Sequence, residues 1–183
     1  MFSLILTNFY EKQKKFFHKI LGFFSFYIQF LIILKGTLIG NHTDNYISDI
    51  EIYEPDFASV YELLLTCESE IFRVPPKLSF LSDVTHRKNR GKCAVIGTTV
   101  DGVLASSVMT VSETEYAAII GAVATRADYR KRGLSRELVR TLASRIRGEG
   151  RAVYVFSASE GNTRFYRNSG FEIAAAFTEY FFI

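Results

Sequence analysis

Between Ala117 and Ile146 the chain passes from an apolar, β-prone run into a helical one through a glycine set among cations. That junction constrains the fold more than any other feature. It reads Asp128-Tyr129-Arg130-Lys131-Arg132-Gly133-Leu134-Ser135-Arg136-Glu137-Leu138. Beyond it Leu134, Leu138, Val139, Leu142 and Ile146 recur at helical spacing. A helix begins with unpaired backbone N–H groups and partial positive charge. Strand, basic glycine turn and helix start therefore make a cradle for phosphate. All thirteen arginines lie from Arg73 onward, eight of them between Arg126 and Arg151, while the net charge is only +3. Positive charge is thus local, which fits a small polyanionic ligand better than a nucleic-acid duplex.

Other phosphate-binding patterns are missing: the chain has no G-x-x-x-x-G-K-[ST] and no G-x-G-x-x-G after a strand. Cys67 and Cys93 are isolated, and His18, His42 and His86 are scattered. These spacings give neither a disulfide scaffold nor a metal site, and they leave two thiols for the core. A reducing cytoplasm is the default compartment. At 183 residues and 48% apolar the chain can build one domain with an appendage.

The appendage is compositional. Residues 1–56 contain no Ala, Arg or Val, whereas the remainder is ordinary in all three. Within that segment Ile20 to Leu34 is uncharged and follows Lys12, Lys14, Lys15 and Lys19. Fifteen residues fall short of the roughly 20 that span a bilayer. Residues 1–41 are therefore read as a hydrophobic, lysine-rich leader ahead of a domain at 42–183. It would be a helix packed on the domain or lying on a membrane through residues 12–39, ahead of a true span or a non-native leader.

The rest reads as mixed α/β. A short strand is expected over Asn45 to Glu54. A helix capped by Asp56 runs through Glu68, and another starts at Pro76 and ends near Thr85, ahead of a polar loop from His86 to Gly91. Lys92 to Val100 and Val103 to Val111 form a hairpin at Asp101-Gly102, and a third strand covers Tyr116 to Thr125. The arginine-rich helix ends at Gly148 or Gly150. Arg151 to Ala158 is a strand, Asn162 to Asn168 a short helix, and Phe171 onward a last strand.

This order resembles the GNAT family of acyl-CoA-dependent N-acetyltransferases. That family's Arg/Gln-x-x-Gly-x-Gly/Ala signature stands here as Arg130-Lys131-Arg132-Gly133-Leu134-Ser135, with Ser at the last small position. A second element, Asn162-Thr163-Arg164-Phe165-Tyr166-Arg167-Asn168-Ser169-Gly170-Phe171, follows at the matching distance. The resemblance implies a mostly antiparallel central sheet flanked by helices, here truncated at the last strand, since Phe171 to Ile183 has room for one strand and not the closing pair. Such a sheet ends one strand short or borrows a strand from another chain or domain, which makes a homo-oligomer one expectation.

The resemblance further implies acetyl-CoA as co-substrate, no metal and no nucleic acid. Backbone groups of Val123, Ala124 and Thr125 would pair with the pantetheine arm. The turn Arg130, Lys131, Arg132, Gly133, Leu134, Ser135 and Arg136 would hold the pyrophosphate, through the N–H groups from Lys131 onward. Asn162 would contact the far end of the cofactor, and Tyr166 would protonate the leaving thiolate. The strand Arg151 to Ala158 carries no carboxylate, so Glu115, with Glu113 beside it, is the candidate base for an amine acceptor of unknown identity. The other reading is a non-catalytic acyl-CoA-binding module, half of a larger two-lobed acetyltransferase.

Overall fold

The computed structural model describes residues 26–37, 50–69 and 72–182. The chain divides into two compact units, residues 32–176 and residues 1–31 with 177–183. Of the smaller unit the described residues, 26–31 and 177–182, are strand. Among the described residues every helix lies in the larger unit.

Among the described residues the α-helices are α1 (Phe57–Leu65), α2 (Lys77–Asn89), α3 (Leu134–Gly148) and α4 (Glu160–Asn168). Six strands, β1 (Phe26–Gly36), β2 (Val95–Val100), β3 (Val103–Glu113), β4 (Ala117–Thr125), β5 (Ala152–Ser157) and β6 (Phe171–Phe182), form one sheet in the order β2-β3-β4-β5-β1-β6. Pairing is antiparallel for β2–β3, β3–β4 and β5–β1, and parallel for β4–β5. The parallel pair is joined by α3, as a parallel connection requires. The mixed, mostly antiparallel α/β architecture expected from the sequence is the one observed.

Local chemistry accounts for most boundaries. Asp56 caps α1, its carboxylate accepting from the Ser59 backbone N–H at 2.8 Å. Asp101 and Gly102 both adopt positive φ, the conformation of a two-residue hairpin. The second helix runs further than its sequence indicated. His86 to Asn89 belong to α2, where Arg87 pairs with Asp83 one turn back at 2.9 Å. The strand expected over Asn45 to Glu54 falls partly outside the described residues, and its described end contributes one bridge, Tyr53 to Gly97.

The principal correction concerns the leader. Residues 1–25 and 38–49 lie outside the described residues, but Phe26–Gly36 is a strand and not a helix. Its residues Ile32 to Lys35 pair with Ser157 to Tyr154 of β5. Leu34 is fully buried among Val153, Val155 and Leu138. Arg147 at the end of α3 donates to the Gly36 carbonyl at 3.0 Å, and Thr37 N–H donates to Gly170 at 3.1 Å. Arg147 is thus a bracing residue. The strand missing from the C-terminal end is supplied by the chain's own beginning. A run of Phe, Ile, Tyr and Leu suits a strand buried on one face as well as it suits a helix, and only the partner β5 decides between them. Among the described residues no helix is long and apolar enough to cross a membrane.

Two cores lie on opposite faces of the sheet. One joins α3 and α4 to Ala118, Ile120, Val153 and Val155, and the other joins α1 and α2 to Val95, Leu104, Met109 and Ala124.

Candidate functional site

Strands β4 and β5 pair only over Ala117↔Ala152 to Ile120↔Val155. Beyond that pair both continue apart. Gly121 to Thr125 keep their ladder to β3, while Phe156 and Ser157 keep theirs to β1. Two strand edges therefore face each other without closing, and the gap opens toward the basic turn.

A bulge causes the separation. Ser107 pairs with Ala124 and Met109 with Gly121, so two residues of β4 oppose Val108 alone. Ala122 takes φ +47°, a left-handed conformation that costs a non-glycine residue about 1 kcal/mol or more. The extra residue reverses the alternation of β4. Ala118, Ile120 and Val123 contact the α3 core, whereas Ala122 and Ala124 contact the α1 core. Gly121 sits where a Cβ would come within 2.8 Å of Val111 Cγ1. Neither Gly121 nor Ala122 was singled out from the sequence. The glycine inside a strand pattern was the available signal.

At the far end of β4 the turn is built for an anion. Lys131 (φ +61°) and Gly133 (φ +80°) are both left-handed, and Gly133 caps α3 with no side-chain hydrogen bond. The first N–H groups of a 15-residue helix thus emerge unshielded. Arg130 Nε donates to the Thr125 carbonyl at 3.1 Å, and Arg132 Nη2 to that of Asp128 at 3.1 Å. These bonds brace the turn while Arg130, Lys131, Arg132 and Arg136 remain exposed. Leu134 is buried and anchors the helix, and Ser135 is half-buried at the turn's end.

On the β5 side, Ser159 caps α4 by accepting from the Asn162 N–H at 3.1 Å. Buried Ser157 and Thr163 share a hydroxyl pair at 2.9 Å, fixing α4 to the end of β5. Asn162 is exposed at the start of that helix. Tyr166, one turn on, is 7% exposed and packs edge-on against Phe165 and Phe171. It belongs to the same cluster as Ile120 and Val155, the last pair before the strands part. Burial pushes its phenol up to about 12, so the hydroxyl keeps its proton.

The two acidic candidates sit elsewhere. Glu113 is a structural carboxylate, its side chain only 3% exposed and 2.6 Å from Arg151 Nη1. It also accepts from Thr110 Oγ1 and the Ala94 N–H. Glu113 and Glu149 together raise the Arg151 guanidinium further above its ordinary value. Glu115 is exposed in the turn before β4, at the opposite end from the gap. About five residues of strand at ~3.3 Å each put it roughly 16 Å from the bulge, too far for a direct base. The structure places Val123 to Thr125 and Arg130 to Arg136 at the far end of β4 and in the turn after it, Asn162 and Tyr166 on the helix that follows β5, and Glu115 at the other end of β4. Cys93 is buried, and its thiol is raised chiefly by that burial. Cys67 is half-buried, 3.6 Å from the Thr125 carbonyl. Among the described residues no group of His, Cys, Asp and Glu could hold a metal.

A family model described as an acetyltransferase (GNAT) domain matches residues 83–174, half of the chain and the whole of this constellation. The chain belongs to the GNAT acetyltransferases. Solved structures agree in fold. A protein of Novosphingobium aromaticivorans placed in the GNAT family superposes with TM-score 0.63 at 20% identity, over 83% of this chain and 63% of its own. The glucosamine-6-phosphate N-acetyltransferase of Arabidopsis thaliana gives 0.56 at 16%, over 69% of this chain and 94% of its own. An acetyltransferase of Trypanosoma brucei gives 0.55 at 21%, over 69% and 95%. This GNAT chain therefore spans under two thirds of the first of these and nearly all of the other two. No curated protein matches it by sequence.

Proposed function

We infer that this GNAT chain transfers an acetyl group from acetyl-CoA to a primary amine. The observation that carries the reading is the unclosed gap between β4 and β5, which opens beside an uncapped, basic helix start. An extended arm ending in a pyrophosphate fits that combination, because strand edges offer backbone pairing and the helix start offers N–H groups and charge. Val123 to Thr125 would bind the arm, Lys131 to Arg136 the pyrophosphate, and Asn162 the far end. Bound there, acetyl-CoA supplies an activated carbonyl for an amine to attack.

Tyr166 stands on the α3 face of the gap and would donate a hydrogen bond to the departing sulfur. A phenol near 12 holds its proton more tightly than a thiol of about 8.5. Full transfer to the thiolate would be uphill, so the phenol would act as a hydrogen-bond donor that stabilises the departing sulfur. Neither β4 nor β5 contains a carboxylate. An alkyl amine of pKa ~10.4 must then reach the site neutral, helped by an apolar surface that disfavours its charged form. Two free cysteines suit a reducing cytoplasm, where such a domain would work.

The test is thiol release from acetyl-CoA over a panel of amines, with binding of acetyl-CoA measured separately by calorimetry. Turnover that rises with pH as the amine deprotonates is expected. Binding without turnover on any amine would leave a non-catalytic acyl-CoA-binding module, and no binding would remove the reading.

A further inference from the structure

We propose that Ser157 and Thr163 are positioning residues for the transfer, setting through one buried hydroxyl link the rotation of α4 that aims Tyr166 at the departing sulfur. The proposal rests on the acetyl-transfer reading, with Tyr166 as the donor, and adds the device that places it. Ser157 closes β5 and is 1% exposed, and Thr163, at the end of the first turn of α4, is 8% exposed. Their hydroxyls lie 2.9 Å apart, and each also lies 2.9 Å from the Ser159 carbonyl. Two hydroxyl protons serve these three contacts, so one hydroxyl donates to Ser159 and the other donates to its neighbour. The bond from Thr163 to Ser159 stays within the helix's own turn. The link from β5 into α4 runs through Ser157.

That link is directional where the other contacts of α4 are not. The helix has nine residues and meets the core through Phe165 and Tyr166, the latter edge-on to Phe171. Apolar contact is non-directional and lets a short helix turn about its axis. Thr163 and Tyr166 are three residues apart and neighbours on one face of the helix. Fixing the first therefore fixes where the second points. A phenol oxygen stands roughly 8 Å from a helix axis, so a rotation of about 7° moves it by about 1 Å. A misplacement of that size can slow a reaction by about a hundredfold.

The pair adds direction rather than stability. Thr163→Val leaves Ser157 donating to Ser159, and Ser157→Ala leaves Thr163 bonded to the same carbonyl, four residues back. Removing both hydroxyls strands no buried donor and is close to neutral for folding. A structural role and a positioning role therefore predict different measurements.

The experiment measures thiol release from acetyl-CoA on the full chain, with 2-phenylethylamine, spermidine and free lysine as acceptor probes, and acetyl-CoA affinity by calorimetry. Thr163→Val, alone or with Ser157→Ala, should lower kcat by about tenfold while the Kd of acetyl-CoA stays within about twofold. The urea midpoint should stay near that of the wild type. Thr163→Ser keeps the hydroxyl and should restore kcat. The deciding readout is Thr163→Val combined with Tyr166→Phe. Once the phenol is gone its aim no longer matters, so Thr163→Val should cost nothing further. An unchanged kcat in Thr163→Val, a Thr163→Ser variant equally slow, or an undiminished further loss beside Tyr166→Phe would overturn the proposal. Circular dichroism checks the fold, and if Thr163→Val unfolds, Ser157→Ala carries the same test. A wild-type rate in Tyr166→Phe alone, or no turnover of the three amines by the wild-type chain, would place the fault in the underlying reading, and the proposal falls with it.

Discussion

Leu34→Ala tests whether the beginning of the chain completes the sheet. Leu34 is fully buried, on β1, opposite Val155 and in the core shared with α3. Truncation at such a site removes three carbons from a packed interior and leaves a cavity, costing about 2–5 kcal/mol. Domains of this kind have a total stability of about 5–15 kcal/mol, so the loss is a large fraction. With a urea m-value of about 2 kcal/mol/M, a loss of ~3 kcal/mol lowers the midpoint by about 1.5 M. The assay is equilibrium urea unfolding of the full chain followed by fluorescence or circular dichroism. Leu78→Ala is the control, since Leu78 is 83% exposed on α2 and should change stability by less than about 0.5 kcal/mol. If Leu34→Ala costs no more than the control at an unchanged m-value, β1 does not occupy the place beside β5. Residues 42–183 would then be expected to fold unaided, which the position of β1 argues against.

Other consequences can be measured on the same protein. Arg151→Ala should destabilise by about 3 kcal/mol, because it strands the buried Glu113 carboxylate without its partner. Urea unfolding of Arg151→Ala with Glu113→Gln should recover part of that loss. Gly133→Val forces a branched side chain into φ +80° at the start of α3. Strain of about 1–3 kcal/mol at the turn should weaken acetyl-CoA by roughly tenfold or more in calorimetry, while circular dichroism stays native. Tyr166→Phe should lower kcat with acetyl-CoA affinity near normal, and an unchanged kcat would remove Tyr166 from the sulfur. The same variant alters the alkaline limb of stability. The folded pKa lies above the ordinary 10.0, so the neutral phenol favours the folded chain below pH 10 and that advantage fades as pH climbs toward 12. The decline should be shallower in Tyr166→Phe.

The parts of this fold that sequence revealed are those with local causes. Asp56 before an apolar helix, Asp101-Gly102 between two strands and Gly133 at a helix start each announce a backbone conformation, and each is found in it. The two motif elements also lie in order on the elements expected of them. What sequence could not convey depends on partners distant in the chain. Phe26–Gly36 is a strand because β5 has an open edge for it, over a hundred residues away. Glu113 stood beside Glu115 as a candidate base, and only Arg151, 38 residues on and 2.6 Å away, marks it as structural. The bulge at Ala122 arises from mismatched register with β3, which no single strand's pattern encodes. Glu115 seemed close to the chemistry because it borders β4, but it borders the wrong end.

The central claim is that the gap between β4 and β5, together with the Arg130 to Arg136 turn, holds acyl-CoA. An NMR titration of the labelled chain with coenzyme A, read at backbone amides, tests it most directly. The account predicts saturable shifts at Gly121 to Thr125, Lys131 to Arg136 and Asn162, with the turn before β4 around Glu115 unmoved. Shifts confined to other residues, or no saturable binding, would contradict it.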